Sequence, residues 1–369
     1  MSEVAISLRN VSKKFSANGG PAAVDDLSLD MNKGETVVLV GPSGCGKTTT
    51  MKMINRLIEP TGGSIEVDGT DVLAQDPVEL RRNIGYVIQS IGLLPHRTIR
   101  ENIATVPKLV GWDGGRIDKR IDELVEIFEL DREFLKRYPS ELSGGQRQRV
   151  GVARALAVDP PVMLMDEPFG AVDPIVRERL QDQFLKIQEE LKKTIVFVTH
   201  DIDEAIKMAD RIAILNTGGV IEQYATPEEI LREPANNFVK QFVGVERGLK
   251  RLALTKVADI GTDEGPVVTS STSAAEAIKE MERLDFHWAS VVDDGELKGW
   301  VEHSALKRVT NVSDVEPKPF SAYVTGESTL REALDSIVTS RTQVAVVAIE
   351  GQRYKGILTL QRISKEILT

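Results

Sequence analysis

Residues 36–48 read TVVLVGPSGCGKT. The apolar run Thr36–Val40 predicts a strand. It leads into a glycine-rich turn, and a helical stretch follows from Gly46 to about Leu57, ended by Pro60 and Gly62-Gly63. Strand, glycine-rich turn and helix form the setting in which G-x-x-x-x-G-K-[ST] cradles phosphates. Backbone N–H groups from Ser43 to Thr48, continued by Thr49, would surround the β- and γ-phosphates with the helix N-terminus behind them. Gly41, Gly44 and Gly46 are small enough to allow that approach. Lys47 would neutralise phosphate charge and the Thr48 hydroxyl would ligate Mg²⁺. A chance glycine-rich turn has no reason to carry lysine and threonine at those two places. Cys45 lies inside the loop, beside a helix N-terminus and a lysine, a setting that activates thiols. Two readings of it stay open, a small filler residue and a regulatory thiol.

Working outward, short strands are predicted at Ala5–Leu8, Leu27–Met31 and Ser64–Val67, with turns at Lys33-Gly34 and Asp68-Gly69. From about Ile91 to Val150 the pattern turns helical, Ile117, Ile121, Leu124, Val125, Ile127 and Phe128 sharing one face. The apolar runs Val162–Met165 and Ile195–Val198 predict buried parallel strands, with the helix 174–192 as their crossover. Two carboxylates, Asp166 and Glu167, end the first of these runs in VMLMDEP. On many proteins they would be solvated strand-end charges. Beside a phosphate loop, Asp166 serves Mg²⁺ through its water shell, and Glu167 is the general base for the attacking water.

The whole chain has 369 residues, enough for two or three domains. A formal charge of -10 argues against a nucleic-acid partner, since that affinity comes from Lys and Arg neutralising phosphates. No run reaches the roughly 18 to 20 apolar residues of a spanning helix. The start, MSEVAISLRN, lacks the apolar centre of a secretion signal, so a cytoplasmic chain is expected. One cysteine and four dispersed histidines, at 96, 200, 287 and 303, argue against a disulfide or a structural metal.

Beyond residue 245 the chain repeats itself. At an offset of 56, Ala277-Ile278 falls on Ala333-Leu334, Val291 on Val347 and Gly295 on Gly351; Gly299 and Gly356 match after one inserted residue. Each half reads helix, strand, turn, strand, helix, the mark of duplicated units packed together. The expected organisation is a first domain over 1–245, a linker over 246–255, and a duplicated module over 256–369 divided near 310/311.

LSGGQ at 142–146, followed by RQRVGVARAL, resembles the signature of ABC transporter ATPases. Read physically, Ser143 caps a helix, and a cap and an anion site use the same free N–H groups. The resemblance implies an α/β fold: a P-loop NTPase core of RecA-like type, an antiparallel β subdomain and a helical subdomain. It also implies ATP as the bound nucleotide and a dimer in which Ser143, Gly144 and Gly145, with Gln146, meet the γ-phosphate held by the opposite subunit. Other positions match in order. Phe15 in VSKKF resembles the aromatic that stacks on adenine, with a core residue as the alternative. Gln89 in YVIQS resembles the glutamine that senses Mg²⁺ and the water, and His200 in IVFVTHD resembles the switch histidine. Asp173 in GAVDP matches the D-loop, although Gly170 and Val172 depart from the usual Ser-Ala-Leu-Asp.

MKMINRLIEPTGGSI, IGLLPHRTIRENI and VTHDIDEAIKMADRIAIL resemble the ATPase subunits of osmoprotectant importers, which carry glycine betaine, carnitine, choline or proline-type solutes. The two tail halves resemble cystathionine-β-synthase (CBS) domains, which some members of that group carry. The implied protein is a peripheral subunit on the cytoplasmic face of the membrane. Its partners are a second copy, transmembrane permease subunits and, indirectly, an extracytoplasmic solute-binding protein. Three rivals remain: an importer of another solute such as an amino acid, a soluble ABC ATPase, and a CBS protein that only binds. The single ATPase domain speaks against the second, and the hydrolytic set against the third. In nucleotide-binding CBS pairs an Asp follows Gly-apolar-apolar-Thr; here GWVEHSA ends in Ala305 and GILTLQR in Arg362, leaving Thr359 alone. That disfavours adenosine nucleotides in the usual mode. Sensing of ionic strength, sensing of a cyclic dinucleotide and simple dimerisation all stay open. Trp288, Trp300 and His287 could suggest a cage for quaternary ammonium ions, but are expected to pack the tail's core.

Overall fold

The structure is a computed structural model that describes residues 3–15, 20–88, 92–170, 172–340, 342, 344–349 and 353–368. Two compact units divide the chain, residues 1–243 and 244–369.

In the first unit β1 (Val4–Lys13), β2 (Val24–Asn32), β4 (Gly62–Val67) and β5 (Thr70–Asp71) form a four-stranded sheet in the order β2-β1-β4-β5, with antiparallel pairing throughout. A six-stranded sheet takes β3 (Thr36–Val40), β6 (Ile84–Val87), β7 (Val162–Asp166), β8 (Thr194–Thr199), β9 (Arg211–Asn216) and β10 (Val220–Ala225) in the order β10-β9-β3-β8-β7-β6. All its neighbours are parallel except the β9–β10 hairpin. Every residue of β3, β7 and β8 is buried, as expected of parallel strands covered on both faces. One core joins the two sheets, bringing Ile6, Leu8 and Met31 together with Leu39, Leu164 and Val198 and with Met51 and Ile54 of the Lys47–Ile54 helix.

The region 92–150 is helical in pieces. Helices run Ile99–Ile103, Thr105–Leu109, Gly114–Ile127 and Gly144–Ala155. Each of these except Thr105–Leu109 starts at a side-chain cap, Thr98, Asp113 and Ser143 respectively. The face expected from helical period is buried at Ile117, Ile121, Leu124, Val125 and Phe128, while Ile127 is half-buried.

The second unit is one six-stranded sheet built from two equal halves. β11 (Val267–Val268), β12 (Trp288–Asp293) and β13 (Glu296–Glu302) belong to one half; β14 (Tyr323–Val324), β15 (Val344–Ile349) and β16 (Arg353–Thr359) belong to the other. Their order, β11-β12-β13-β16-β15-β14, places the halves symmetrically about the β13–β16 pair. The offset of 56 holds in three dimensions. Ala277 and Ala333, Met281 and Ile337, and Val291 and Val347 are all buried at matching places in two separate cores. A third cluster joins Trp288 and Trp300 of one half to Val344 and Ile357 of the other. Phe286, Trp288 and Phe320 meet edge to face at centroid distances of 5.4 and 5.5 Å. Both tryptophans are buried, as core residues should be, whereas His287, just before β12, is exposed and does not join them, since neighbouring residues along a strand point to opposite faces.

The stretch expected as a linker, 246–255, contains a helix, Arg247–Leu252, whose Leu252 is buried in the core of the second half. Its apolar positions are too few for periodicity to show it.

Candidate functional site

The phosphate loop leaves β3 and enters the Lys47–Ile54 helix. At Gly41 a side chain is excluded: a Cβ there would stand 2.2 Å from the Leu215 carbonyl oxygen of β9. Gly44 has φ of 83°, a left-handed conformation that glycine alone adopts freely. Ser43 and Gly44 are exposed, Cys45, Gly46 and Lys47 buried, and Thr48 and Thr49 half-buried. The Lys47 ammonium donates to the carbonyls of Gly41 at 2.7 Å and Pro42 at 3.1 Å. Its charge is therefore held over the loop rather than in bulk solvent. Cys45 is 1% exposed and belongs to the core beneath the loop. Of its two readings, that burial favours the filler, since reactive thiols are partly exposed.

β8 is a neighbour of β3 and β7 lies next to β8, so the ends of both arrive beside the loop. The Thr48 hydroxyl donates to Asp166 Oδ1 at 3.0 Å. Asp166 is 9% exposed, and burial pushes its carboxyl above the usual range while the Thr48 bond pulls it back. Glu167 follows in a left-handed conformation, φ 43°, which strains any residue with a Cβ. Its N–H donates to the Val198 carbonyl of β8 at 2.9 Å, which helps fix the bend. The bend presents the carboxylate to His200 at the end of β8, with 3.2 Å between Oε1 and Nδ1. Lys47, Thr48, Asp166, Glu167 and His200 are thus gathered at the carboxyl ends of adjacent parallel strands, where open α/β sheets hold ligands.

Other sequence-derived positions lie apart from that hydrogen-bonded group. Ser143 opens the Gly144–Ala155 helix in a reciprocal capping box, accepting from Gln146 N–H at 3.3 Å while Gln146 Oε1 accepts from Ser143 N–H at 2.8 Å. Gly145 is buried against Val176 of the Pro174–Leu191 helix, leaving 2.8 Å for a Cβ. Asp173 caps that second helix, accepting from Ile175 N–H at 3.0 Å. Phe15 is 66% exposed with the Lys13 ammonium 5.3 Å from its ring centre, so the core-residue alternative does not describe it. Gln89 lies outside the described residues.

Sequence reasoning missed a network behind His200. Asp201 caps the Ile202–Met208 helix, accepting from Asp203 and Glu204 N–H groups, and the buried Glu204 accepts from Gln181 of the Pro174–Leu191 helix. The D-x-x-E spacing of Asp201 and Glu204 before an apolar run was the available signal. In the tail, Arg362 and Thr359 both donate to Asp263, at 2.7 and 2.6 Å. The arginine at the motif's acidic position therefore has an intrachain carboxylate as its partner.

A phosphate loop, a paired carboxylate and a strand-end histidine on a mostly parallel sheet define a nucleotide-hydrolysing α/β cassette. Residues 24–170 match the ABC transporter family, and residues 257–310 and 312–369 each match the CBS domain. The chain is 49% identical to the osmoprotectant import ATP-binding protein OsmV of Salmonella typhimurium, over 95% of this chain and 93% of that one. It is 48% identical to the carnitine transport ATP-binding protein OpuCA of Listeria monocytogenes, over 96% and 90%. A solved dimeric bacterial ABC transporter cassette is 36% identical and covers 60% of this chain and 98% of its own, with a TM-score of 0.54. The chain belongs to the family of ABC transporter ATP-binding subunits, in the group that carries a C-terminal CBS pair. It binds ATP, and among the described residues no helix is long and apolar enough to cross a membrane.

Proposed function

We propose that this chain hydrolyses ATP to drive import of a quaternary-ammonium osmoprotectant: glycine betaine, carnitine, choline or a proline-type solute. It works as a homodimer on the cytoplasmic face of the membrane with permease subunits, which receive solute from an extracytoplasmic binding protein. The observation that carries the hydrolytic part is the convergence of Thr48 on Asp166 and of Glu167 on His200 beside the phosphate loop. The solute class is supported by relatives matched over nearly their whole length, including the choline transport protein OpuBA of Bacillus subtilis at 47% identity.

In this reading Gly41–Thr49 seats the phosphates, with Lys47 balancing their charge. Phe15 offers its exposed ring to adenine, and Ser143, Gly144, Gly145 and Gln146 of the second copy approach the γ-phosphate. Asp173 takes part in the contact between copies. The hydroxyl of Thr48 and the carboxylate of Asp166 are hard oxygen donors placed side by side, the donor type that suits Mg²⁺. With Gln89 they would hold that ion, which when bound neutralises phosphate charge. Glu167 accepts a proton from the attacking water, and His200 holds the carboxylate in place. The CBS pair regulates the cycle, with ionic strength or a cyclic dinucleotide as its signal.

The test is uptake into proteoliposomes containing this chain, its permease and binding protein, with internal ATP and each labelled solute. ATP-dependent uptake of one of these solutes is expected, and Glu167→Gln should abolish it while ATP still binds. Uptake of amino acids but no osmoprotectant would overturn the solute assignment, and full turnover by Glu167→Gln the catalytic one. Titrating the tail with nucleotides, and varying internal salt with the tail removed, decides between the two signals.

A further inference from the structure

His200 sits in the two-residue link, His200-Asp201, between β8 and the Ile202–Met208 helix, and the residues on both sides of it lie against one buried residue, Glu204: Thr199 faces its carboxylate and Asp201 accepts from its backbone N–H. Glu204 is 8% exposed, and its neighbours Gln181 and Thr199 are 6% and 1% exposed. Gln181 Nε2 donates to Glu204 Oε1 at 3.0 Å, and the Thr199 side chain lies near the same carboxylate and favours its charged form against the cost of burial. Thr199 Oγ1 also accepts from Asp201 N–H at 3.1 Å, and Asp201 Oδ1 accepts from Glu204 N–H at 3.3 Å. Residues 199, 201 and 204 therefore close a ring of contacts around the bend, and the bend's exposed member, His200, reaches Glu167 at 3.2 Å.

Packing alone does not call for a carboxylate here. Burying one is costly, and an apolar side chain of the same volume would fill the space. The ring also has an outside attachment, because Gln181 belongs to the helix capped by Asp173, whose exposed N-terminal turn carries Ile175 and Val176. Arg177 of that helix supplies a cation near Glu204, and Asp201 a second carboxylate.

We propose that Glu204 is a positioning residue for His200, and that the Gln181–Glu204 hydrogen bond makes the placement of His200 follow the helix capped by Asp173. This rests on the hydrolytic reading of Glu167 and His200 given above.

The experiment uses the full chain and two readouts. Steady-state ATP hydrolysis by Glu204→Ala should show kcat lowered by on the order of 10- to 100-fold, the size expected of a misplaced group. KM for ATP should stay within about threefold, because the phosphate loop is untouched. Gln181→Ala should move kcat the same way by less, and Glu204→Gln, which keeps a hydrogen-bonding group of equal length, should recover most of it. The second readout is the imidazole NMR signal of His200, one of only four histidines, identified by its loss in His200→Ala. It should shift or broaden in Glu204→Ala and Gln181→Ala and return in Glu204→Gln.

An unmoved His200 signal in both alanine variants overturns the proposal, and so does a loss of kcat matched by a rise in KM. If Glu204→Ala fails to fold, Gln181→Ala and Glu204→Gln decide through the same signal. Turnover by His200→Ala at the wild-type rate would defeat the hydrolytic reading instead, while the NMR result still decides whether Glu204 places the ring.

Discussion

The tightest constraint in the nucleotide site is the contact between Gly41 and the neighbouring strand, so Gly41→Ala should be more damaging than the same change at Gly44. An added Cβ at Gly41 would stand 2.2 Å from the Leu215 carbonyl oxygen and 2.9 Å from Cys45 Sγ. Since a separation under 3.0 Å is essentially never seen for a Cβ, the loop must retreat from β9 by about 0.8 Å. Overpacking against a fixed backbone costs about 1–3 kcal/mol. The left-handed strain of a non-glycine residue adds about 1–2 kcal/mol, for a total of roughly 2–5 kcal/mol. At Gly44 a Cβ meets nothing within 4 Å, which leaves only the strain. Thermal unfolding without ligand measures both. For a unit of this size each 1 kcal/mol moves Tm by about 2–4 °C, so Gly41→Ala should lower the first transition by roughly 4–20 °C and Gly44→Ala by no more than about 8 °C. ATP affinity should fall in Gly41→Ala by on the order of 10²-fold, because the loop's N–H groups are displaced by nearly an ångström. A Gly41→Ala protein as stable as Gly44→Ala, binding ATP with wild-type affinity, would refute the claim that this contact sets the loop.

Replacing Asp166 tests its burial. Its folded-state carboxyl is raised, so the native state binds more protons than the unfolded state in the window above the ordinary aspartate value, and stability falls as pH rises through it. Asp166→Asn should therefore raise Tm at neutral pH in chelator and flatten that part of the pH profile, while abolishing Mg²⁺-dependent hydrolysis. A Tm at or below wild type throughout the window would contradict this. Ser143→Ala removes one side of the capping box and should cost about 1 kcal/mol, read as a small fall in Tm; Ser143→Asp restores the cap but not the hydroxyl, so it should recover Tm without recovering ATPase. In the tail, Ile337→Ala empties a fully buried position and should cost about 2–5 kcal/mol. Calorimetry should show a tail transition at lower temperature with ATP affinity unchanged.

The parts of the fold that were legible in sequence are those where a local pattern meets a demanding environment. Val37–Val40, Val162–Met165 and Ile195–Val198 are continuous apolar runs because both faces of a central parallel sheet are covered. The phosphate loop was legible because close approach to another backbone leaves few residue types. The tail's repeat was legible because equivalent core positions recur at one offset. By contrast β11 and β14 are two residues each, too short for alternation to register, although they extend the sheet at both edges.

The candidate site divides along the same line. Lys47, Thr48, Asp166, Glu167 and His200 stand at strand ends or at the start of a helix, positions that a linear motif can mark, and three dimensions bring them together. Glu204 and Gln181 form no linear motif: they lie 23 residues apart on two helices, and each looks like an ordinary polar residue of an exposed helical face. Only packing reveals that both are buried and bonded to each other. The same holds for Asp263, which is 99 residues from Arg362 and gives that arginine its partner. In the tail, the sequence shows that Arg362 departs from the acidic pattern; the structure supplies the reason, since an aspartate there would face Asp263 and leave two carboxylates without a cation between them.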